Sequence, residues 1–342
     1  MRYPEFIKKK STIGFVAPSC GVTDSPYKER LDSAINTFTK LGHKIVLSES
    51  VRKSYYYGFV SADAKQRAKE FMDMYLDDNI DAIISVAGGE FMVEILPYID
   101  FNKLKDAKPK WFQGMSDNTN LVLTLTTLCD IASIYGDCAG HFGMQPWHNV
   151  LKNQYKFLLG KNNSVESENK IEIDNIRKEK GHELDIYDCK YKTNWSILSG
   201  EKEVKFQGRL VGGCMDIIEL ILGTKYDQMK TFTEKYKEDG IIWFVESCDL
   251  NILDQDRFFW KMKEMGMFKY AKGIIIGRPL IKENARELDY KTANFHNLKD
   301  LGIPVIIDCD FGHVHPCFHI VSGAIGKVYC KNGKGKIEYI LK

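Results

Sequence analysis

The pentapeptide Gly114-Met115-Ser116-Asp117-Asn118 stands between a strand-like run at residues 110–113 and a helical run from about 118 to 128. A serine on so tight a strand-to-helix turn is held exposed, with the following backbone N–H groups and the helix N-terminus directed at the same space. Such a turn suits a nucleophile. Asn118 occupies the place of the second glycine of a GxSxG elbow, so the match is partial, and Ser116, Asp117 or Asn118 would serve equally as a helix cap. A second glycine-bearing turn, Ala87-Gly88-Gly89-Glu90, closes the strand that ends at Val86. Ligands of open α/β sheets bind beyond the carboxyl ends of strands, so both turns are expected at one crevice. There an N–H of Gly88 or Gly89 could join that of Asp117 as an oxyanion hole, although a glycine pair after a strand is ordinarily only a turn.

Two more features lie far along the chain. Glu246 follows the apolar run 241–245, a position from which a carboxylate can orient an imidazole. His313 and His315 sit in Asp308-Cys309-Asp310-Phe311-Gly312-His313-Val314-His315-Pro316, after the strand-like run 305–307. Neutral imidazole serves either as a general base or as a metal ligand. His313, His315 and His319 could share one side of an extended segment, yet neither HExxH nor a thiolate pair accompanies them, so no metal is expected. The chain order Ser116, Glu246, His313 is that of α/β-hydrolases, an order that weighs little because unrelated hydrolases use others.

The elements that must position these groups follow from periodicity. Residues 12–148 alternate short apolar runs (12–17, 44–47, 82–86, 110–113, 131–135) with helical patterns (28–41, 62–75, 118–128). Leu31, Ala34, Ile35, Phe38 and Leu41, for example, recur at helical spacing. This rhythm predicts an α/β fold whose N-terminal domain, residues 1–165, is a Rossmann-like parallel sheet carrying the serine. Residues 166–203 read as a polar connector or lid. Residues 204–342, with strands at 204–211, 241–245, 273–276, 305–307 and within 327–341, read as a smaller mixed α/β C-terminal domain carrying Glu246 and His313, with the site between the two.

The bulk composition narrows the function. A chain of 342 residues with 44% hydrophobic content is long enough for two cores. Its 48 Lys and Arg balance 46 Asp and Glu, leaving no overall field to draw a nucleic acid polymer or a membrane surface, so a small molecule is the expected partner. No apolar segment approaches signal-peptide or membrane-spanning length, and nine dispersed cysteines fit reduced thiols, so a cytoplasmic location is expected.

Taken together, residues 13–19 (Ile-Gly-Phe-Val-Ala-Pro-Ser), Gly88-Gly89, residues 114–119, Gly136, residues 208–213 (Gly-Arg-Leu-Val-Gly-Gly), Gly223-Thr224, Glu246 and Gly312-His313 with Pro316 resemble the LD-carboxypeptidase family of serine peptidases, which includes the microcin C self-immunity hydrolases. The resemblance runs nearly end to end. It implies a Ser116, Glu246, His313 triad between two domains, an oxyanion hole of Gly88 or Gly89 with Asp117, no cofactor or metal, and a homodimer. It also implies cleavage of an amide bond in a small peptide, first an LD-bond of a murein tetrapeptide and alternatively a peptidyl or aminoacyl nucleotide. A catalytically idle ligand-binding protein is the alternative of another class. The chain departs from the family pattern at Gly136-Asp137, where Gly-Pro is common, at Cys214, where Asn is frequent, and at Val321-Ser322-Gly323, where Pro-x-Gly is typical. Trp195 is the candidate to stack on a nucleobase, and Arg278 the candidate to grip a substrate carboxylate; their alternatives are core packing and a surface arginine.

Overall fold

The apolar runs of the first half lie side by side in the computed structural model, which describes residues 1–173 and 175–342, Ile176 by its backbone alone. β1 (Thr12–Val16), β2 (Lys44–Leu47), β3 (Ala82–Ser85), β4 (Trp111–Gly114) and β5 (Ser133–Tyr135) pair in parallel in the order β5-β4-β3-β1-β2. Strands β3 and β4 are buried at every residue, as expected of central strands with both faces covered. The helices between them are α1 (Tyr27–Lys40), α2 (Ala64–Leu76), α3 (Phe101–Asp106) and α4 (Thr119–Cys129). α1 buries Leu31, Ala34 and Phe38 from the stripe that predicts it, and Asp63 caps α2 by accepting the Gln66 N–H at 3.0 Å. Strand order reverses between β1 and β3, so the turns after β1, β3 and β4 open on one crevice.

The second sheet has eight strands against six in the first. Two of them, β6 (Ser164–Glu166) and β9 (Ser196–Ile197), come from the expected connector and its margin, where β7 (Lys170–Ile171) and β8 (Tyr191–Lys192) also pair with each other. β10 (Glu203–Cys214), β11 (Ile241–Glu246), β12 (Ala271–Arg278) and β13 (Val305–Gly312) run parallel in that order. One more strand of the C-terminal segment, β14 (Ile320–Ser322), leaves this sheet and pairs antiparallel with β5 of the first. β15 (Ile325–Lys331) and β16 (Lys334–Ile340) form a hairpin beside β10, with β6 on its outer edge, and β9 pairs with the far strand β13. Asn332 and Gly333, both at positive φ, are the two-residue loop that divides the expected run 327–341. The domain boundaries therefore interlock: the N-terminal sheet takes a strand from the C-terminal segment, and the connector gives strands to the C-terminal sheet. The helix Asn149–Leu158, beyond the last element expected of the first domain, buries Val150, Leu151, Gln154, Phe157 and Leu158 beneath a polar face. No helix among the described residues is long and apolar enough to cross a membrane.

Where β10 passes β11 the two backbones nearly touch. Gly212 has φ +152°, and a Cβ there would lie 1.7 Å from the Phe244 carbonyl oxygen. Gly212→Ala is expected to lower the stability of the full chain by about 3 kcal/mol or more, read as a fall in the urea midpoint. An unchanged midpoint would mean that the strands are not packed this closely.

Candidate active site

Ser116 follows β4 and opens a single 3-10 turn, Ser116–Asn118, that leads into α4. Its φ of +62° puts a serine in the left-handed region, where a non-glycine residue is held only by its surroundings. One of those surroundings is Tyr135, at the end of the neighbouring strand β5, whose hydroxyl oxygen accepts the Ser116 N–H at 3.1 Å. The same hydroxyl donates its proton to Glu246 Oε1. The other carboxylate oxygen, Oε2, meets His313 Nδ1 at 2.8 Å. A continuous run of hydrogen bonds thus joins the serine turn of the first domain to the acid and imidazole of the second.

Each partner is fixed by its element. Glu246 is the last residue of the fully buried β11 and is itself wholly buried. The loop after it is gathered by Asp216, whose carboxylate accepts the N–H groups of Cys248, Asp249 and Leu250 at 3.2, 2.8 and 3.2 Å. His313 follows β13 directly. Burial alone would lower its pKa, but the negative charge of Glu246, with hydrogen bonding to Cys248 and Glu246, holds it well above the ordinary value. With Nδ1 committed to the carboxylate, Nε2 is the ring nitrogen left for other partners.

The glycine turn lies against the serine. A Cβ on Gly88 would sit 3.1 Å from Ser116 Cβ and 3.3 Å from its Oγ, so a side chain there would crowd the hydroxyl. Gly89 faces elsewhere, towards Ser19 and Cys20. The Asp117 amide lies at the head of the helical turn, where N–H groups have no intrahelical partner. Its side chain, fully buried, accepts from Ser19 Oγ, from the Met92 N–H at 2.8 Å and from Asn120 Nδ2 at 2.9 Å, and burial pushes its carboxyl up to about 6. Asp117 is thus a structural acid whose backbone borders the crevice. The rim is acidic: burial, then the charges of Asp249 and Asp216, raise the pKa of Glu90.

The two residues expected to touch substrate are both buried. Trp195 is 3% exposed, packs its ring over Gly335 and beside Phe318, and donates its indole N–H to Asp310 Oδ2 at 2.6 Å. Arg278 is 2% exposed and pairs with Asp310 Oδ1, while its Nε and Nη2 donate to the Val314 carbonyl at 3.1 and 2.8 Å and Nη2 also reaches the Pro316 carbonyl. Both side chains are consumed by one buried carboxylate, and Arg278 braces the histidine loop from behind. Neither is free to meet a nucleobase or a terminal carboxylate. The set His313, His315 and His319 is likewise not assembled: His319 is buried against Phe157 and Tyr339. Among the described residues the one group of donors close enough for a metal is Asp137, His141 and His315.

Tyr135 is the residue of the candidate site that the sequence reading passes over. The only available signal is its place at a strand end beside the serine strand, and a tyrosine there reads as an ordinary apolar sheet residue.

A serine turn is thus linked through Tyr135 to a buried carboxylate and its half-buried histidine, between two α/β domains. Residues 13–136 match the LD-carboxypeptidase N-terminal domain and residues 207–328 the LD-carboxypeptidase C-terminal domain, and the chain belongs to the LD-carboxypeptidase family. It is 22% identical to a probable murein peptide carboxypeptidase of Bacillus subtilis, over 94% of this chain and 89% of the relative. It is 26% identical to the microcin C7 self-immunity protein MccF of Escherichia coli, over 91% and 88%. A solved structure of an MccF mutant in complex with adenosine monophosphate superposes with a TM-score of 0.82 at 22% identity, covering 99% of this chain and 98% of the other, and MccF has also been solved in complex with glutamyl sulfamoyl guanosine.

Two substitutions separate the roles. Tyr135→Phe removes a hydrogen bond to a buried carboxylate, about 1.5–3 kcal/mol, so kcat is expected to fall roughly 10- to 100-fold with little change in KM. Equal kcat in Tyr135→Phe and the parent would show the hydroxyl to be idle. Trp195→Phe strips one donor from Asp310 and is expected to lower stability by about 1–3 kcal/mol while leaving the KM for an aminoacyl nucleotide unchanged. A selective rise in that KM would restore Trp195 as a base platform.

Proposed function

We propose that the chain is a serine-type amide hydrolase in which Ser116 is the nucleophile, His313 the general base and Glu246 the acid that orients it. The observation that carries this reading is the Tyr135 hydroxyl, which bonds both the Ser116 amide and the carboxylate held by His313. His313 takes the Ser116 proton as the oxygen attacks the amide carbonyl, and returns it to the leaving amine. Glu246 fixes the tautomer and supports the imidazolium. The amides of Gly88 and Asp117 receive the oxyanion, Gly88 being preferred to Gly89 because it borders Ser116. Water then releases the acyl group by the same proton path in reverse.

The substrate proposed is a murein tetrapeptide cut at its terminal LD-bond. The relationship to the Bacillus subtilis murein peptidase supports it. A second reading, hydrolysis of an aminoacyl or peptidyl nucleotide, is favoured by a different feature. The exposed aromatic loop of Tyr55, Tyr56, Tyr57 and Phe59 reaches the glycine turn through Phe91, on which Tyr56 and Phe59 both stand edge-on at 5.9 and 6.0 Å, and offers flat faces for a base. A cytoplasmic site of action is proposed as well, since all nine cysteines are free thiols.

Mass spectrometry of the enzyme incubated separately with a disaccharide tetrapeptide and with an aminoacyl sulfamoyl adenosine decides between the substrates. Release of one terminal D-amino acid from the first, with the second intact, is expected. Ser116→Ala should lower turnover by roughly 10³-fold or more with the fold retained. Parent-like cleavage by Ser116→Ala would falsify the assignment of the nucleophile.

A further inference from the structure

We infer that Asp137, His141 and His315 form a binding site for a divalent transition ion of the Zn2+ kind, spanning the two domains beside the histidine loop. The three residues come from separate places. Asp137 follows β5, His141 lies in the turn Ala139–Gly143, and His315 lies in the loop that links β13 to β14. Their donor atoms all lie within 4.8 Å of one another. Asp137 Oδ1 is 3.5 Å from His141 Nδ1 and 3.9 Å from His315 Nδ1. Zinc bonds of about 2.0–2.2 Å require neighbouring donors roughly 3.3 Å apart in a tetrahedral shell. The two carboxylate-to-imidazole distances exceed that spacing by a few tenths of an ångström.

The hydrogen-bond accounting is what points to a ligand. Asp137 Oδ1, His141 Nδ1 and His315 Nδ1 are all buried and all lack a hydrogen-bond partner. Asp137 is 1% exposed, and a buried carboxylate oxygen with no partner is costly. Every other polar atom of Asp137 is occupied. Gln154 Nε2 donates to Oδ2 at 2.5 Å, Gln154 Oε1 accepts the Asp137 N–H at 3.1 Å, and Gln113 Nε2 donates to its carbonyl at 2.8 Å. Oδ1 alone is left to face the two rings, as an outer-shell partner would arrange for a metal ligand. The rings are also oriented. Those of His141 and His315 lie 4.9 Å apart, and Tyr187 stacks on His315 at 4.9 Å and 9°. Arg177 stands over Tyr187 and pairs with Glu172 at 2.7 Å, and burial, together with the Arg177 positive charge, keeps both imidazoles in the neutral form that a metal ligand needs. Two imidazoles with one carboxylate suit Zn2+, Co2+ or Ni2+ rather than Ca2+ or Mg2+.

Bound there, the ion ties the histidine loop to the end of β5, two residues from His313. Its role is to hold that loop, and it takes no part in the hydrolysis proposed above. Metal binding is measured apart from turnover, so the two proposals fail separately.

The test uses the full chain, stripped of metal by chelator and titrated with Co2+ alone, with the parent, Asp137→Asn, His141→Gln and Ser116→Ala in parallel. Expected are one Co2+ per chain in the parent and in Ser116→Ala, a visible spectrum of nitrogen and oxygen ligation without thiolate charge transfer, and affinity lowered by about 100-fold in Asp137→Asn and His141→Gln. Zn2+ should raise the thermal midpoint of the parent and leave those two variants unmoved. His141 is the more exposed ligand, so His141→Gln decides the matter if Asp137→Asn does not fold. A parent that takes up no Co2+, takes it up with a thiolate spectrum, or binds it no more tightly than His141→Gln overturns the site.

Discussion

The buried carboxylate of Glu246 is the constraint around which the molecule is arranged. A wholly buried acid is tolerable only with both oxygens engaged, because an unpaired charge in a medium of low dielectric is costly. The two partners come from opposite sides of the domain seam, Tyr135 from the end of β5 and His313 from the end of β13. Each of the three residues therefore has to sit at the carboxyl end of a strand, and the two sheets must meet at those ends. Tyr135 then uses its remaining lone pair for the Ser116 amide, so the acid that orders the imidazole also orders the serine turn.

Behind that front lies a second buried carboxylate with the opposite task. Asp310 receives Arg278 and Trp195, and Arg278 spends its other N–H groups on the carbonyls of Val314 and Pro316. Backbone carbonyls of a loop have no ladder to satisfy them, so a guanidinium placed beneath them fixes the loop's path. The imidazole's position is thus set twice, by the hydrogen bond it makes and by the scaffold under its loop. In the proposed mechanism the first partnership serves chemistry and the second geometry, although both are carboxylates buried with their partners.

Ser116, Glu246 and His313 stand out in the sequence as candidates because each lies at or shortly after an apolar run that marks a strand, and the structure places each of them at a strand end. The α/β rhythm of residues 12–135 was legible for the same reason, its helices and strands falling within a few residues of their expected places. What could not be read was pairing at a distance. Nothing local in Ile320–Ser322 says that it joins β5 rather than the sheet of its neighbours, and nothing in Ser164–Glu166 assigns it to β16. Exposure was equally hidden. Trp195 and Arg278 have side chains suited to recognising a ligand, and only their burial against Asp310 reveals them as scaffold. The converse holds for Asp137: its departure from the family's Gly-Pro was visible, but its meaning depends on His141 and His315, which only the fold brings beside it.

The strand exchange bears on how a substrate reaches the site. β14 is hydrogen-bonded into the first sheet, and Arg209 at the base of the second reaches Tyr3 Oη at 3.1 Å and the Gly323 carbonyl at 2.6 Å. The start of α4 is locked to the end of β10, where Thr119 Oγ1 accepts the Cys214 N–H at 3.0 Å and Gly213 leaves no room for a side chain against Thr119. A hinge needs a boundary that few contacts cross, and here both sheets and the nucleophile helix are stitched across it. Domain opening is therefore a poor route of entry, and access falls to the loops around the crevice. The segment with Tyr55, Tyr56, Tyr57 and Phe59 is such a loop, exposed and rich in aromatic rings beside the glycine turn. On the proposed mechanism the stitched seam holds the reacting groups in place, and the choice of substrate is left to loops that can differ without disturbing them.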